Sequence, residues 1–177
     1  ATQVSDTVVV GCNFNADDHV IVFVSTCGAN QLPNSVTGGG TPFAIQLSAG
    51  AQSHARTSAW YATPASGGSS ITVYWTGQHP HAAVITVMAS SKLNDANPIF
   101  TTTGAQGNAT STSATPGNDA SPTPANAYAM FAVGVEFGQG IILTSPTGFS
   151  IAASNSTGTG QNPVDCEQVV FVRDLPA

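Results

Sequence analysis

Apolar side chains in this sequence recur at every second position. Ile71, Val73 and Trp75 alternate with Thr72, Tyr74 and Thr76, and a period of two sets the first group on one face of a pleated strand and the second on the other. No stretch carries the three-to-four-residue spacing of an amphipathic helix. Further strand-like runs are Thr7–Gly11, His19–Thr26, Pro42–Ser48, Ala55–Ala62, Ala82–Ser90, Ala127–Phe137, Gly148–Ser154 and Cys166–Asp174. His19–Thr26 is apolar on both faces, as a central strand covered on each side should be.

Turn chemistry separates these runs. Asn13-Phe-Asn-Ala-Asp-Asp18 lies between the first two and predicts a hairpin, Gly38-Gly39-Gly40 a turn, and Pro64-Ala-Ser-Gly-Gly-Ser-Ser70 another. About nine or ten strands result. The expected fold is all-β, an antiparallel two-sheet sandwich of jelly-roll-like character, formed by residues 1–177 as one domain. Residues 101–126, rich in Ser, Thr, Gly and Pro, are expected to form the crossing connection between its halves, with an edge strand near Ala109–Ala114.

The halves echo one another. Val36 to Ile45, ending Pro-Phe-Ala-Ile, follows the apolar run His19–Thr26, and Thr144 to Ile151, ending Gly-Phe-Ser-Ile, follows Ala127–Phe137. An aromatic strand ending in Pro comes next in each half, Trp60 to Pro64 and Phe171 to Pro176. Either one unit is used twice, or convergent β patterning produces the echo.

Only 7% of residues are charged, with 3 Lys and Arg against 9 Asp and Glu; a globular protein carries about 25%. Arg56, Lys92 and Arg173 are too few for the counterion release that drives nucleic-acid binding, and the same shortage argues against anionic lipid. No apolar run nears the roughly 18 residues of a membrane span. The chain opens Ala1-Thr-Gln rather than with Met or a basic segment, so removal of a signal segment and an extracellular or cell-surface location are expected. A surface of hydroxyl and amide groups suits subunit packing or contact with glycans.

Cys12, Cys27 and Cys166 contain no C-x-x-C pair. A Cys27–Cys166 disulfide is expected if their strands run antiparallel side by side, with three reduced thiols as the alternative. Asn108-Ala-Thr and Asn155-Ser-Thr match the N-glycosylation pattern. His79-Pro-His81 is the one pair suggestive of a metal, but Pro80 disturbs the strand and no third ligand is evident. Asp17-Asp18 lacks the spaced ligands of a calcium loop. Glu136 and Glu167 are the only glutamates available for a carboxylate pair. No cofactor motif, nucleophile elbow or phosphate loop occurs, and no catalytic activity is expected.

The order of a Val-rich hairpin, Val-Thr-Gly-Gly-Gly-Thr-Pro-Phe, Ser-Ala-Trp-Tyr-Ala, Ser-Ile-Thr-Val and Asp95-Ala-Asn-Pro-Ile99 resembles β-sandwich domains of secreted bacterial and archaeal surface proteins and of phage structural proteins. The resemblance implies an extracellular sandwich without a catalytic centre. Two functions fit these features. One is a structural subunit of a fibre, filament or surface layer, in which residues 1–10, with Val4, Val8 and Val10 on one face, add a strand to a neighbouring copy. The other is a non-catalytic carbohydrate-binding or adhesion module using Tyr74 and Trp75 as a stacking platform.

Overall fold

The computed structural model describes residues 5–28, 31–50, 55–77, 79–91, 127–136, 144–158 and 165–175. It is all-β. The strands are β1 (Thr7–Phe14), β2 (His19–Cys27), β3 (Ser35–Gly38), β4 (Thr41–Pro42), β5 (Ala44–Gly50), β6 (Arg56–Ala62), β7 (Gly68–Tyr74), β8 (Ala82–Ser90), β9 (Ala127–Glu136), β10 (Ser150–Ser156) and β11 (Cys166–Leu175).

All pairing is antiparallel, and three sheets form where two were expected. Their strand orders are β1-β7-β3-β4, β5-β6-β2-β8 and β10-β11-β9. The second sheet is the middle layer. Its Val20, Val22, Val24 and Trp60 pack with Phe14, Val36, Ile71, Val73 and Trp75 of the first sheet and its flanks. The opposite face carries Ile21 and Phe23, which pack with Val170, Met130, Ala132 and Ala153 of the third. β2 is therefore buried along its whole length, which accounts for its run of apolar residues on both faces. Each fully buried Val or Phe there contributes roughly 1.5–3 kcal/mol of transfer free energy.

The hairpin expected between the first two strands does not form. β1 pairs with β7 and β2 with β6 and β8, so the connection crosses from one layer to the next. Asp17 adopts a positive φ of 63°, and the Asp18 carboxylate accepts a hydrogen bond from the Asn15 amide at 2.8 Å. The turn is real, but its direction is set by apolar faces that each needed a different partner sheet. The glycine run makes a tight hairpin instead. Thr37 pairs with Pro42 and Gly38 with Thr41, and Gly39 and Gly40 take φ of 56° and 74°, the left-handed conformations a two-residue hairpin turn requires.

The sequence echo corresponds to a repeated substructure. β5-β6-β2 and β10-β11-β9 share one strand order and antiparallel sense. In the first, Ile45 opposes Trp60 and the register shifts between Ile45 and Leu47. In the second, Ile151 opposes Phe171 and the register shifts between Ile151 and Ala153. A β-bulge therefore follows the same Phe-x-Ile motif in both units. The units differ at one position, since β8 lies beside β2 but no described strand lies beside β9 on its outer edge.

Candidate functional site: the interlayer staple and the sheet edges

Cys27, the last residue of β2, and Cys166, the first of β11, form a disulfide with Cα atoms 5.5 Å apart and a sequence separation of 139. The strands are not side by side in one sheet, as the pairing argument assumed. They lie face to face, so the bond staples the middle layer to the third. Ala82 and Val84 of β8 pack around it, with Ala55 alongside.

The next residues inward on the same faces form a polar rung. Gln168 Nε2 donates to Ser25 Oγ at 2.8 Å, and Ser25 Oγ shares a 2.8 Å hydrogen bond with Thr57 Oγ1. Ser25 and Gln168 are fully buried, so each must find its partner inside the protein. Gly134 of β9 lies over this rung, where a Cβ would collide with the Thr57 and Ser25 hydroxyls. Sequence reasoning missed this cluster. A signal was present, because a disulfide between facing strands brings together the residues two positions away from each cysteine.

The remaining cysteine, Cys12, is free and partly buried in β1, and desolvation pushes its thiol pKa up. At the far end of β2, His19 Nδ1 and the Tyr61 hydroxyl lie 2.6 Å apart, and that hydroxyl is 2.8 Å from Thr63 Oγ1.

His79 and His81 have different neighbours. His79 Nε2 lies 3.1 Å from the Asp6 carboxylate, whereas the His81 backbone amide donates to the Cys27 carbonyl at 3.0 Å. Among the described residues no group of three His, Cys, Asp or Glu is placed to hold a metal ion. Glu136 opposes Cys166 and Glu167 opposes Val135. Adjacent positions on β11 face opposite ways, so the two carboxylates lie on opposite faces of the third sheet.

Trp75 requires a correction, because it is 0% exposed within the core between the first two sheets and offers no face to a sugar. The alternation of the strand puts Tyr74 outside, 40% exposed. Asn155 is exposed on β10, and its neighbour Thr157 accepts a hydrogen bond from the Cys166 amide through Oγ1 at 2.9 Å. Val8 and Val10 oppose Val73 and Ile71, so this part of the expected assembly strand completes its own sheet. Val4, Asn108, the strand expected near Ala109–Ala114 and the 101–126 crossing lie outside the described residues.

β1 and β10 are edge strands of the outer sheets. Their exposed apolar residues are Val9 at 62% and Ile151 at 48%. β8 packs against both, so β1, β8 and β10 lie along one side of the three-layer stack. β4, β5 and β9 end the sheets on the other side. Comparison of the chain with protein-family models, curated proteins and solved structures gives no match.

Proposed function

We propose that this chain is an extracellular structural subunit that joins copies of itself through sheet edges into a fibre, filament or surface layer. The observation that carries the reading is the chemistry of the edges: β1, β5, β8 and β10 contain no charged residue. Soluble proteins usually blunt an edge with Lys, Pro or inward-pointing charge, because its unpaired amides and carbonyls invite another strand. Bulges interrupt β1, β5 and β10, yet Thr7–Gly11 and Ala153–Ser156 keep unbroken registers. The disulfide supports an oxidising compartment, and the scarcity of charge suits close packing of like subunits. The resemblance to surface and phage structural sandwiches points the same way. Because Val8 and Val10 are paired at home, copies add along the outer edge of β1, where no described strand pairs, rather than by donating those residues.

The test is sedimentation velocity and negative-stain imaging of oxidised protein over a wide concentration range. Ordered assemblies that persist in about 1 M salt, where exposed ion pairs are screened, are expected. A particle that stays at 17.8 kDa throughout refutes the reading. The carbohydrate-binding reading is favoured by one observation, the exposed ring of Tyr74. Glycan-array binding by a protein that never assembles, lost in Tyr74→Ala, would establish it instead.

A further inference from the structure

We infer that Asn155 is a glycosylation site, and that it receives an N-linked oligosaccharide before the chain folds. The inference rests on the extracellular part of the proposed function, because the donor, a lipid-linked oligosaccharide, is met during export. In the transfer, Asn155 Nδ2 bonds to the anomeric carbon of the first sugar and gives up a proton. The bond from that carbon to the lipid phosphate breaks, and its electron pair leaves with the phosphate oxygen. Asn155-Ser-Thr157 supplies the acceptor sequence. Two features of β10 favour a sugar there. The first is room: six of its seven residues are exposed, Ala153 alone being half-buried. Successive strand residues point to opposite faces, so both faces meet solvent at Ser154, Asn155 and Ser156, and a bulky hydrated group at Asn155 displaces no packed side chain.

The second feature is the lack of any other protection. A strand this exposed is usually guarded by Lys or Pro against pairing with foreign chains, and Ser150–Ser156 contains neither. An oligosaccharide at Asn155 supplies that guard and leaves assembly to β1. The hydrogen bonding of Thr157 sets the order of events. The transferring enzyme reads the Thr157 hydroxyl together with the Asn155 amide. In the folded chain Thr157 Oγ1 accepts the Cys166 amide at 2.9 Å, and the Thr157 amide donates to the Cys166 carbonyl at 2.9 Å. The acceptor sequence is thus tied to the first residue of β11, which the disulfide fastens to Cys27. Transfer therefore precedes the docking of β11.

Two measurements on the full chain test the inference. In protein taken from the surface of its natural source, the peptide holding Asn155 should be heavier by an oligosaccharide, and enzymatic removal of the sugar should leave Asp at that position. In a cell-free transfer with oligosaccharyltransferase membranes and lipid-linked oligosaccharide, the reduced, unfolded chain should be modified at Asn155 at least about tenfold faster than the oxidised, folded one, whose acceptor is closed. Thr157→Ser should keep the transfer and Thr157→Val abolish it, both read on the unfolded chain, where lost stability plays no part. Surface material bare at Asn155, or an unfolded chain that takes no sugar there, overturns this inference and leaves the extracellular role standing. Equal transfer to folded and unfolded protein overturns the order of events. A bare chain confined to the cytoplasm overturns both readings.

Discussion

Removing the Cys27–Cys166 bond should lower stability by an amount that the spacing of its ends fixes. The bond closes a loop spanning 139 positions. In the chain-entropy treatment such a loop restricts the unfolded chain by about 5 kcal/mol at 25 °C, near the top of the usual range of about 2–5 kcal/mol for native disulfides. A chain of 177 residues shifts in Tm by roughly 2–4 °C per kcal/mol, so the loss corresponds to about 10–20 °C. Two preparations should agree: protein reduced and alkylated at both sulfurs, and the Cys27→Ala/Cys166→Ala variant, each compared with oxidised protein by calorimetry. The third sheet should loosen first, because the lost bond is its covalent tie to the middle layer, and hydrogen exchange should accelerate in Cys166–Leu175 more than in His19–Cys27. A fall of less than about 2 °C, with intact mass confirming an open bridge, would refute the loop-entropy argument. It would mean that the unfolded chain already holds these two regions close together through residual structure.

Trp75→Ala should cost about 3–5 kcal/mol in denaturant titration, the usual penalty for emptying a buried aromatic site, while Tyr74→Ala should stay within about 0.5 kcal/mol; equal effects would contradict the alternation of β7. Gly134→Ala should lose about 1–3 kcal/mol through overpacking against Ser25 and Thr57, and pairing it with Ser25→Ala should recover part of that loss in the same titration. Burial raises the Cys12 thiol pKa, so the neutral form is favoured in the folded chain. Alkylation followed by mass spectrometry should therefore trail a free cysteine near pH 8 and overtake that deficit only at higher pH. The stability linked to this thiol is intact below the ordinary thiol range and is lost as pH rises from there through the raised folded value; a profile matching free cysteine would contradict the burial.

The strand content was legible because period two survives tertiary packing. Ile71, Val73 and Trp75 alternate in the structure as they do in the sequence, with the three apolar side chains in the core. The two-sided burial of β2 was legible from its unbroken apolar run. The number of layers was not, even though that run required cover on both faces, because periodicity shows that a face is buried without showing what buries it. The short strands β3 and β4 escaped notice because Ser35–Gly38 and Thr41–Pro42 are too short to display a period. The turn at Asn13–Asp18 was visible, but whether a turn returns the chain to the same sheet depends on the competition among distant strands for partners. The cysteine pairing was read from strand order on a side-by-side premise, and the structure joins the same residues across layers. The candidate sugar platform failed at Trp75 for a reason the sequence itself contained, since adjacent residues of a strand cannot share a face.

The placement of β2 has a consequence for the order in which the molecule can be made. Its sheet partners β6 and β8 and all the strands of the first sheet precede residue 91, whereas the described residues of the third sheet that pack on Ile21 and Phe23 follow residue 126. A chain emerging from its amino end can complete the first two layers while the far wall of the middle one still faces solvent, bearing Ile21, Phe23, Ala59 and Met88. That half-finished particle has a greasy side until β9 to β11 arrive, and exposed surface of this kind is what makes folding intermediates aggregate. Closure of Cys27 with Cys166 has to await β11, so the bond that seals the third layer forms only once the strands that cover this wall have been made.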